Sequence, residues 1–400
     1  MNPISRRASA HSNAEAQQRL AYFNQRRDEI VSTIRELVEI ESPSDNKAAA
    51  DRVAEAVAHK FSQLGGKVRI HPAKDFGNHL QVDFAGDSDA KPVLLLGHYD
   101  TVYPLGTLAT MPCRVVDNKL TGPGVLDMKS GIALMLHALA ALQDWHKHKE
   151  DCHGGWPRPV TVLLVSDEEV GSDSSRAITE SLAKKAAAVL VLEPSYGLKG
   201  AVKTARKGVG EYLVRVTGKA SHAGLDFQKG VNAILELARQ IEKISSFTEL
   251  KKGLTVNVGI VSGGSRTNVV PAEAAAQVDV RIARIRDAAG IDKKIRSLRP
   301  FNRKCKIEIT GGINRPPMER TAGVAALYAQ AAAIACDLGW KLGEAAVGGG
   351  SDGNFTASLG IPTLDGLGAV GDGAHAPHEH ILISELPRRA ALVAGLIEAV

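Results

Sequence analysis

The sequence predicts an α/β protein with a mostly parallel sheet, into which a smaller unit of βαββαβ order is inserted. In the first half of the chain, short apolar runs typical of strands alternate with helical segments. From about residue 206 the order changes to strands grouped around single helices. A chain of 400 residues also exceeds the size at which one hydrophobic core usually stops growing, so two domains are expected.

Two amphipathic helices are predicted to open the fold. Apolar residues recur at helical spacing over 20–38 and 48–64, and Gly65 ends the second helix. Five apolar runs then predict buried strands, and a further helix precedes the fourth. The strands are 68–71, 80–84, 93–96, 160–165 and 188–192, and the helix is 131–142. Strands that alternate with helices form largely parallel sheets, so ligands are expected beyond the carboxyl ends of these strands.

The inserted unit is predicted from the order of its elements, which is that of a ferredoxin-like domain. These elements are strand 211–217, helix 231–244, strands 254–261 and 274–282, helix 288–298 and strand 306–310. Alternation of helices and strands resumes near residue 321 and ends in a helix after residue 386. We therefore predict a discontinuous first domain, 1–205 and 319–400, interrupted by a second domain, 206–318.

The composition argues against several classes of protein. The net charge is only +5, and the basic residues are scattered, which does not favour nucleic-acid binding but suits small anionic substrates. No apolar run approaches the roughly 20 residues that span a bilayer, and no secretory signal is visible, so a cytoplasmic protein without membrane contact is expected. The four cysteines form no CxxC pair, which argues against a disulfide framework or a thiolate metal site.

Five segments place acids or histidines directly after predicted strands or in glycine turns: GHYDTVYPLG, GPGVLDMKSG, VSDEEVGS, VLEPS and GAHAPHEHI. His98 follows one strand, and Asp100 could accept a hydrogen bond from its far ring nitrogen and fix the tautomer. Taken alone, a histidine after a strand is more often structural, and Asp127 could be only a helix cap. The clustering of the five segments favours a functional interpretation.

Adjacent carboxylates end another predicted strand. Glu168 and Glu169 would repel each other unless cations or a shared proton compensated, although a solvated surface pair is the alternative. Glu193 follows the next strand in the same way. Carboxylates converging on one rim would destabilise the fold without metal, so metal binding and stability are expected to be coupled. Imidazole and carboxylate ligands without thiolate suit zinc, with cobalt or manganese as alternatives.

In this order, the five segments resemble the zinc carboxypeptidase and aminoacylase family that includes bacterial glutamate carboxypeptidase. The resemblance covers nearly the whole chain and continues through GKASHAG, TNVVPAEAAAQVDVRI, GGGSDGNF and ISELPRR. It implies a catalytic domain that binds two Zn²⁺ ions and an inserted domain that serves as lid and dimerisation domain. The implied reaction is cleavage of an amide or peptide bond next to a free carboxylate.

The resemblance also implies a role for each matching position. Asp127 would bridge the two metal ions, His98 and Glu193 would complete one site, and Glu169 and His375 would complete the other.

Glu168 is implied as the general base, and we predict it and Asp100 as the catalytic residues. His375 is preferred to His378 as the ligand, because the family places its ligand just after a glycine-rich loop and four residues before a glutamate, here Glu379. We interpret His378 as a solvated loop residue, with a supporting role beside the ligands as the alternative.

The resemblance assigns substrate contacts to the inserted domain. His222 would be a hydrogen-bond donor that reaches the active site of a partner subunit, which implies a homodimer through the lid domain. Asn268 and Arg281 would grip the carbonyl and carboxylate of a small-molecule or peptide substrate, although Arg281 could be only a surface charge. Arg315 matches a further anion-binding arginine.

Substrate preference stays open at this stage. A preference for glutamate would need a second cation, for which the candidates are Lys199, Lys203, Arg206 and Lys207. Deacylation of N-acyl amino acids is the nearest alternative activity, and a non-catalytic scaffold protein is the alternative of another class. The histidine-rich segment 144–159 receives no assigned role; it contains His146, His148, Cys152 and His153.

Overall fold

The chain forms two compact units in a computed structural model that describes residues 3–86, 90–147, 156 and 158–400. The first unit comprises Met1–Ala205, Arg320–Ala346 and Ser351–Val400, and the second comprises Arg206–Glu319 and Val347–Gly350. The predicted boundaries did not include 347–350 in the inserted domain. The side chain of Arg206 binds this segment, because its Nη1 donates to the carbonyls of Gly349 and Gly350 at 3.3 and 2.9 Å.

The α-helices of the described chain are α1 (Pro3–Gln25), α2 (Arg27–Val38), α3 (Lys47–Gln63), α4 (Ser130–His146), α5 (Arg176–Ala183), α6 (Ala233–Ser245), α7 (Ala288–Arg296), α8 (Ala322–Asp337), α9 (Gly353–Ser358) and α10 (Leu386–Ala399). The strands are β1 (Lys67–His71), β2 (His79–Phe84), β3 (Val93–His98), β4 (Arg114–Val116), β5 (Lys119–Thr121), β6 (Val160–Val165), β7 (Ala188–Val191), β8 (Val202–Arg206), β9 (Gly208–Thr217), β10 (Ser221–His222), β11 (Thr255–Gly263), β12 (Val269–Val270), β13 (Glu273–Ile282), β14 (Lys306–Arg315), β15 (Glu344–Val347), β16 (Thr363–Leu364), β17 (Gly371–Asp372) and β18 (His380–Leu382).

The main sheet of the first unit has the strand order β1-β2-β6-β3-β7-β16. Strands β6, β3, β7 and β16 are parallel, whereas β1 and β2 pair antiparallel at one edge. Every residue of β3 and β6 is buried, which explains why their sequences are predominantly apolar rather than alternating. The predicted α/β class is therefore confirmed, with a mixed sheet.

Both faces of this sheet are covered. Leu95 of β3 lies in a large core that includes α2, α3, α4 and α10, and its neighbour Leu96 packs on the opposite face against residues around α5.

The segment Val125–His146, which contains α4, is long and apolar enough to cross a membrane. From the sequence, no apolar run of that length was expected. Because 83% of its apolar window is buried inside the protein, it is explained as a core helix.

The predicted helix over 20–38 is two helices in the structure. Arg26 separates α1 from α2, with φ −101° and ψ 11°. The second predicted helix is α3, whose first turn is capped by Asn46, since the Asn46 side chain accepts a hydrogen bond from the Ala49 N–H at 3.0 Å. Gly65 follows α3 with φ +79°, a left-handed conformation that favours glycine.

The second unit has the βαββαβ order of the prediction. Its sheet has the order β11-β13-β9-β14 with every neighbouring pair antiparallel, and α6 and α7 contribute to a separate core on one face. Burial alternates along β9 and β13, which is typical of a sheet with one covered face. Strand β11 lies at an edge of this sheet and exposes Ile260 and Val261.

Candidate metal centre

The carboxyl ends of three adjacent parallel strands bring acids and a histidine to one edge of the main sheet. His98 is the last residue of β3, and the Glu168–Glu169 turn begins three residues after β6 ends. Glu193 follows β7, and β3 lies between β6 and β7. Because these strands are parallel, the order of the sheet alone places the four side chains near one another.

Asp127 reaches the same place from an irregular turn rather than from a strand. The turn follows Gly124, which has φ +71°, and contains a cis peptide between Asp127 and Met128. Helix α4 begins only at Ser130, and the residue that caps it is Lys129, without a side-chain capping bond. The alternative interpretation of Asp127 as a helix cap is therefore wrong.

The two carboxylate oxygens of Asp127 contact two different histidines. Its Oδ1 lies 3.1 Å from Nε2 of His98, and Oε1 of Glu193 lies 3.3 Å from that same nitrogen. Its Oδ2 lies 3.4 Å from Nε2 of His375, which is also 3.0 Å from Oε1 of Glu169. The five residues expected as ligands thus form two groups that share Asp127.

Asp100 contacts His98 through its main-chain oxygen as well as through the carboxylate that was expected to meet the ring. Nδ1 of His98 lies 3.1 Å from the main-chain oxygen of Asp100 and 3.4 Å from its carboxylate. The carboxylate accepts hydrogen bonds from the Ser44 hydroxyl at 2.7 Å and from the N–H groups of Glu168 and Glu169 at 3.3 and 3.2 Å. The main-chain carbonyl therefore makes the shorter contact with His98, while the side chain positions the Glu168–Glu169 turn.

The imidazoles of the cluster offset part of its negative charge. Burial lowers the pKa of His98, but hydrogen bonds to Asp100, Asp127 and Glu193 outweigh it and hold that pKa well above its usual value. Hydrogen bonds to Asp127 and Glu169 raise the pKa of His375 to about 10.

The carboxylates respond to the same contacts. Burial raises the pKa of Asp127, yet the hydrogen bonds from His375 and His98 hold it well below its usual range. Burial raises the pKa of Glu169. Three carboxylates around two protonated imidazoles form a donor set without sulfur, and divalent ions would displace the imidazole protons. The residues present therefore fit a pair of divalent metal ions.

Glu168 belongs to the same centre. Ligand atoms of Glu168, His98 and Glu193 lie within 4.8 Å of one another, as do those of His98, Asp127 and Glu169. The distance alone would also allow Glu168 to be a ligand, so its expected role as general base stays a prediction.

The segment that carries His375 also contains a residue whose role the sequence did not reveal. His375 has φ +61° and a side chain that is 48% exposed, and His378 is exposed beside Gly373. Glu379, expected only as a marker of the motif, is buried, and it accepts hydrogen bonds from the N–H groups of Leu126 and Asp127 at 2.7 and 3.0 Å. Its spacing from His375 was the only signal in the sequence.

In the second unit, His222 lies in a short strand and Asn268 lies in the turn directly before the strand that pairs with it. His222 is in β10, which pairs with β12, and the N–H of Ala223 donates to the main-chain oxygen of Asn268 at 2.9 Å. Nδ1 of His222 accepts hydrogen bonds from the N–H groups of Gly224 and Leu225, both at 3.1 Å. A neutral His222 ring therefore carries its proton on Nε2, which makes that atom a hydrogen-bond donor.

The two arginines predicted to bind anions lie in one row of the second sheet. Arg281 of β13 and Arg315 of β14 both pair in register with Val209, on opposite sides of β9. Arg281 also binds the carboxylate of Asp279, with Nε at 3.0 Å from both oxygens. A substrate carboxylate would have to compete with Asp279 or use the remaining N–H groups of Arg281.

The histidine-rich segment lies only partly within the described residues. His146 ends α4, and its Nε2 is 2.6 Å from Oε1 of Glu398. His148, Cys152 and His153 lie outside the residues that the structure describes.

Comparison with known proteins shows which family this sequence matches. Residues 94–399 match the sequence pattern of peptidase family M20/M25/M40. The chain is 32% identical over 379 residues to carboxypeptidase G2 of Pseudomonas sp. (strain RS-16), covering 92% of this chain and 88% of that protein.

Solved structures show the same fold at lower identity. Aminopeptidase PepT from Bacillus cereus matches with a TM-score of 0.76 and 24% identity, covering 93% of this chain and 98% of that chain. The M20 family metallo-carboxypeptidase Sso-CP2 from Sulfolobus solfataricus matches with a TM-score of 0.72 and 18% identity, covering 92% and 98%. The chain therefore belongs to peptidase family M20/M25/M40 and is a metal-dependent hydrolase related to carboxypeptidases.

Proposed function

We propose that this chain is a di-zinc metallohydrolase that cleaves an amide or peptide bond adjacent to a free carboxylate, in the manner of a glutamate carboxypeptidase. One observation carries the proposal: the two oxygens of Asp127 point to two separate histidine and glutamate groups. A carboxylate shared in this way suits a bridging ligand between two cations. The similarity to carboxypeptidase G2 over most of the chain supports the choice of reaction.

The five residues of the cluster would hold the two ions. Asp127 would bridge them, with His98 and Glu193 on one side and Glu169 and His375 on the other. Zinc is favoured because all of these ligand atoms are nitrogen or oxygen, and cobalt and manganese are the alternatives. When bound, the ions would polarise the scissile carbonyl and make a water molecule more acidic.

Glu168 would move the proton that the reaction requires. It would take a proton from the attacking water and deliver it to the nitrogen of the leaving amine. Its main chain is held by the carboxylate of Asp100, which keeps the turn at the end of β6 in place. Asp100 thus acts on the reaction through the residues that it positions.

The second unit would supply substrate recognition. The Nε2–H of His222 is the kind of donor that stabilises a developing oxyanion, and Asn268 lies on the neighbouring segment. The row of Arg281 and Arg315 offers cations for the free carboxylate of the substrate.

A homodimer through the second unit is part of this proposal. Strand β11 is an edge strand, and its outer row of main-chain N–H and C=O groups is suited to pairing with another strand. Its exposed residues Ile260 and Val261 are apolar, which supports a second copy as the partner. Cytoplasmic location stays a prediction.

The experiment that tests the proposal is a substrate screen with zinc-loaded protein. The panel contains peptides, folate-like amides and N-acyl amino acids, and the release of free amino acid is measured. Chelation should abolish the activity and added zinc should restore it. Faster turnover of N-acyl amino acids than of peptides would assign a deacylase instead. Two metals by mass spectrometry without turnover of any substrate class would favour the scaffold alternative.

A further inference from the structure

Glu379 is a buried carboxylate that takes no part in the chemistry proposed above. Its exposed fraction is 0%, and each of its oxygens accepts two hydrogen bonds. Oε1 accepts from the N–H groups of Leu126 and Asp127 at 2.7 and 3.0 Å. Oε2 accepts from the Tyr103 hydroxyl at 2.6 Å and from the N–H of Gly124 at 3.2 Å.

This arrangement requires a carboxylate. Two carboxylate oxygens offer about four acceptor sites, and four donors fill them here. A glutamine at position 379 would replace one acceptor oxygen with an amide that donates hydrogen bonds. That amide would face donors, either the main-chain N–H groups of Leu126 and Asp127 or the N–H of Gly124 with the Tyr103 hydroxyl.

The groups that Glu379 binds hold two of the predicted ligands. Three of them belong to the irregular turn that carries Asp127, which precedes α4 and has non-helical backbone angles at Asp127, with φ −114° and ψ 96°. The fourth group is the Tyr103 hydroxyl, which also lies 3.1 Å from the main-chain oxygen of Ala376, the residue after His375. The N–H of Glu379 donates to that same oxygen at 3.0 Å.

We propose that Glu379 is a positioning residue that sets the geometry of the metal centre before metal binds. It fixes the turn of Asp127 relative to the segment of His375, so that one oxygen of Asp127 meets each histidine. The inference rests on the proposed di-metal function. Residues that support metal ligands in this way typically change metal affinity about 10- to 100-fold when they are replaced.

The test compares Glu379→Gln with a matched replacement of a buried glutamate away from the centre. Glu236 of the second unit is 2% exposed and accepts hydrogen bonds from the N–H groups of Phe301 and Asn302, both at 2.9 Å. Metal-free protein is titrated with Co²⁺, and dissociation constants and the visible absorption spectrum are recorded. Thermal unfolding of each metal-free variant measures the general loss of stability.

We expect Glu379→Gln to weaken Co²⁺ binding at least about 10-fold and to change the absorption spectrum. Glu236→Gln should keep the wild-type Co²⁺ affinity and spectrum, although it loses a similar amount of stability. Wild-type affinity and an unchanged spectrum in Glu379→Gln would overturn the inference, as would an equal loss of affinity in Glu236→Gln. If Glu379→Gln does not fold, Tyr103→Phe decides, since weaker Co²⁺ binding supports the inference and unchanged binding refutes it. Wild-type protein that binds no Co²⁺ would refute the di-metal function itself.

Discussion

The candidate metal centre of the first unit and the candidate substrate residues of the second unit are held in different ways. In the first unit, the buried His98 and the half-buried Asp127 contact each other directly through their side chains. In the second unit, His222 is exposed and its Nδ1 accepts hydrogen bonds from main-chain N–H groups, and Arg281 is paired with Asp279. We infer that the fold of the first unit presets the chemistry, whereas part of the recognition depends on exposed groups such as His222 and Asn268 that must still meet a ligand.

The largest effect is expected from Glu168→Gln, which tests whether the first region contains the chemistry. The variant should bind two metal ions and substrate but lose about 10³-fold or more in kcat, because glutamine cannot accept the proton. Steady-state kinetics and metal analysis measure both properties. The exposed Glu55→Gln on α3 serves as the control for this exchange.

Two outcomes would reject that role. Near-normal kcat in Glu168→Gln would exclude it as the general base. Loss of one metal ion would instead make it a ligand, in agreement with its closeness to His98 and Glu193.

The next prediction concerns the two histidines of one segment. His375→Ala should abolish metal-dependent turnover and release one ion, because Nε2 of His375 contacts both Glu169 and Asp127. His378→Ala should keep most of the activity, since His378 is an exposed residue beside Gly373. Metal content and kcat/KM measured on both variants check this, and the opposite result would refute the ligand assignment.

Whether a residue's role could be predicted from the sequence depends on how far along the chain its interaction partners lie. His98, Glu168 and Glu193 could be found because each lies at or just after the end of a buried strand, and the end of a strand is visible in the local pattern. The supporting role of Glu379 could not be found in this way, because the N–H groups of Leu126 and Asp127 that donate to it lie about 250 residues away along the chain. Only the folded chain brings that carboxylate to those N–H groups.

Other differences have local causes. The break between α1 and α2 at Arg26 has no glycine or proline to indicate it. By contrast, the pairing of Asp279 with Arg281 could have been predicted, because residues two apart in a strand lie on the same face. That pattern was present in VDVRI, where only Arg281 was considered.

A smaller effect is expected in the second region, where His222→Gln tests the proposed oxyanion donor. The variant should lose about 10²- to 10³-fold in kcat and keep its metal content, because a donor aimed at developing charge acts on the reaction and not on the ions. His59→Gln, which changes an exposed histidine of α3, is the control. Unchanged kcat would remove His222 from the mechanism.

The smallest effect concerns the stability of the first unit in acid and depends on His137 of α4. Burial, together with the charges of Lys60 and Arg26, lowers the pKa of His137 to about 4. The usual pKa is about 6.5, so between these values the unfolded chain binds more protons than the folded chain. The contribution of neutral His137 to the free energy of unfolding is therefore complete above about pH 6.5 and is lost as the pH falls towards 4.

Between pH 7.5 and pH 4.5, the free energy of unfolding should fall by about 1–3 kcal/mol less in His137→Gln than in the wild type, after allowance for the partial exposure of His137. Glutamine cannot be protonated in this range and can still donate to Oγ1 of Thr33, which lies 3.0 Å from Nε2 of His137. Urea unfolding of metal-free wild type and variant at both pH values measures the difference. Because protonation of the carboxylates affects both proteins alike, equal pH dependence would show that a buried neutral His137 does not limit the acid stability of the unit that carries the metal centre.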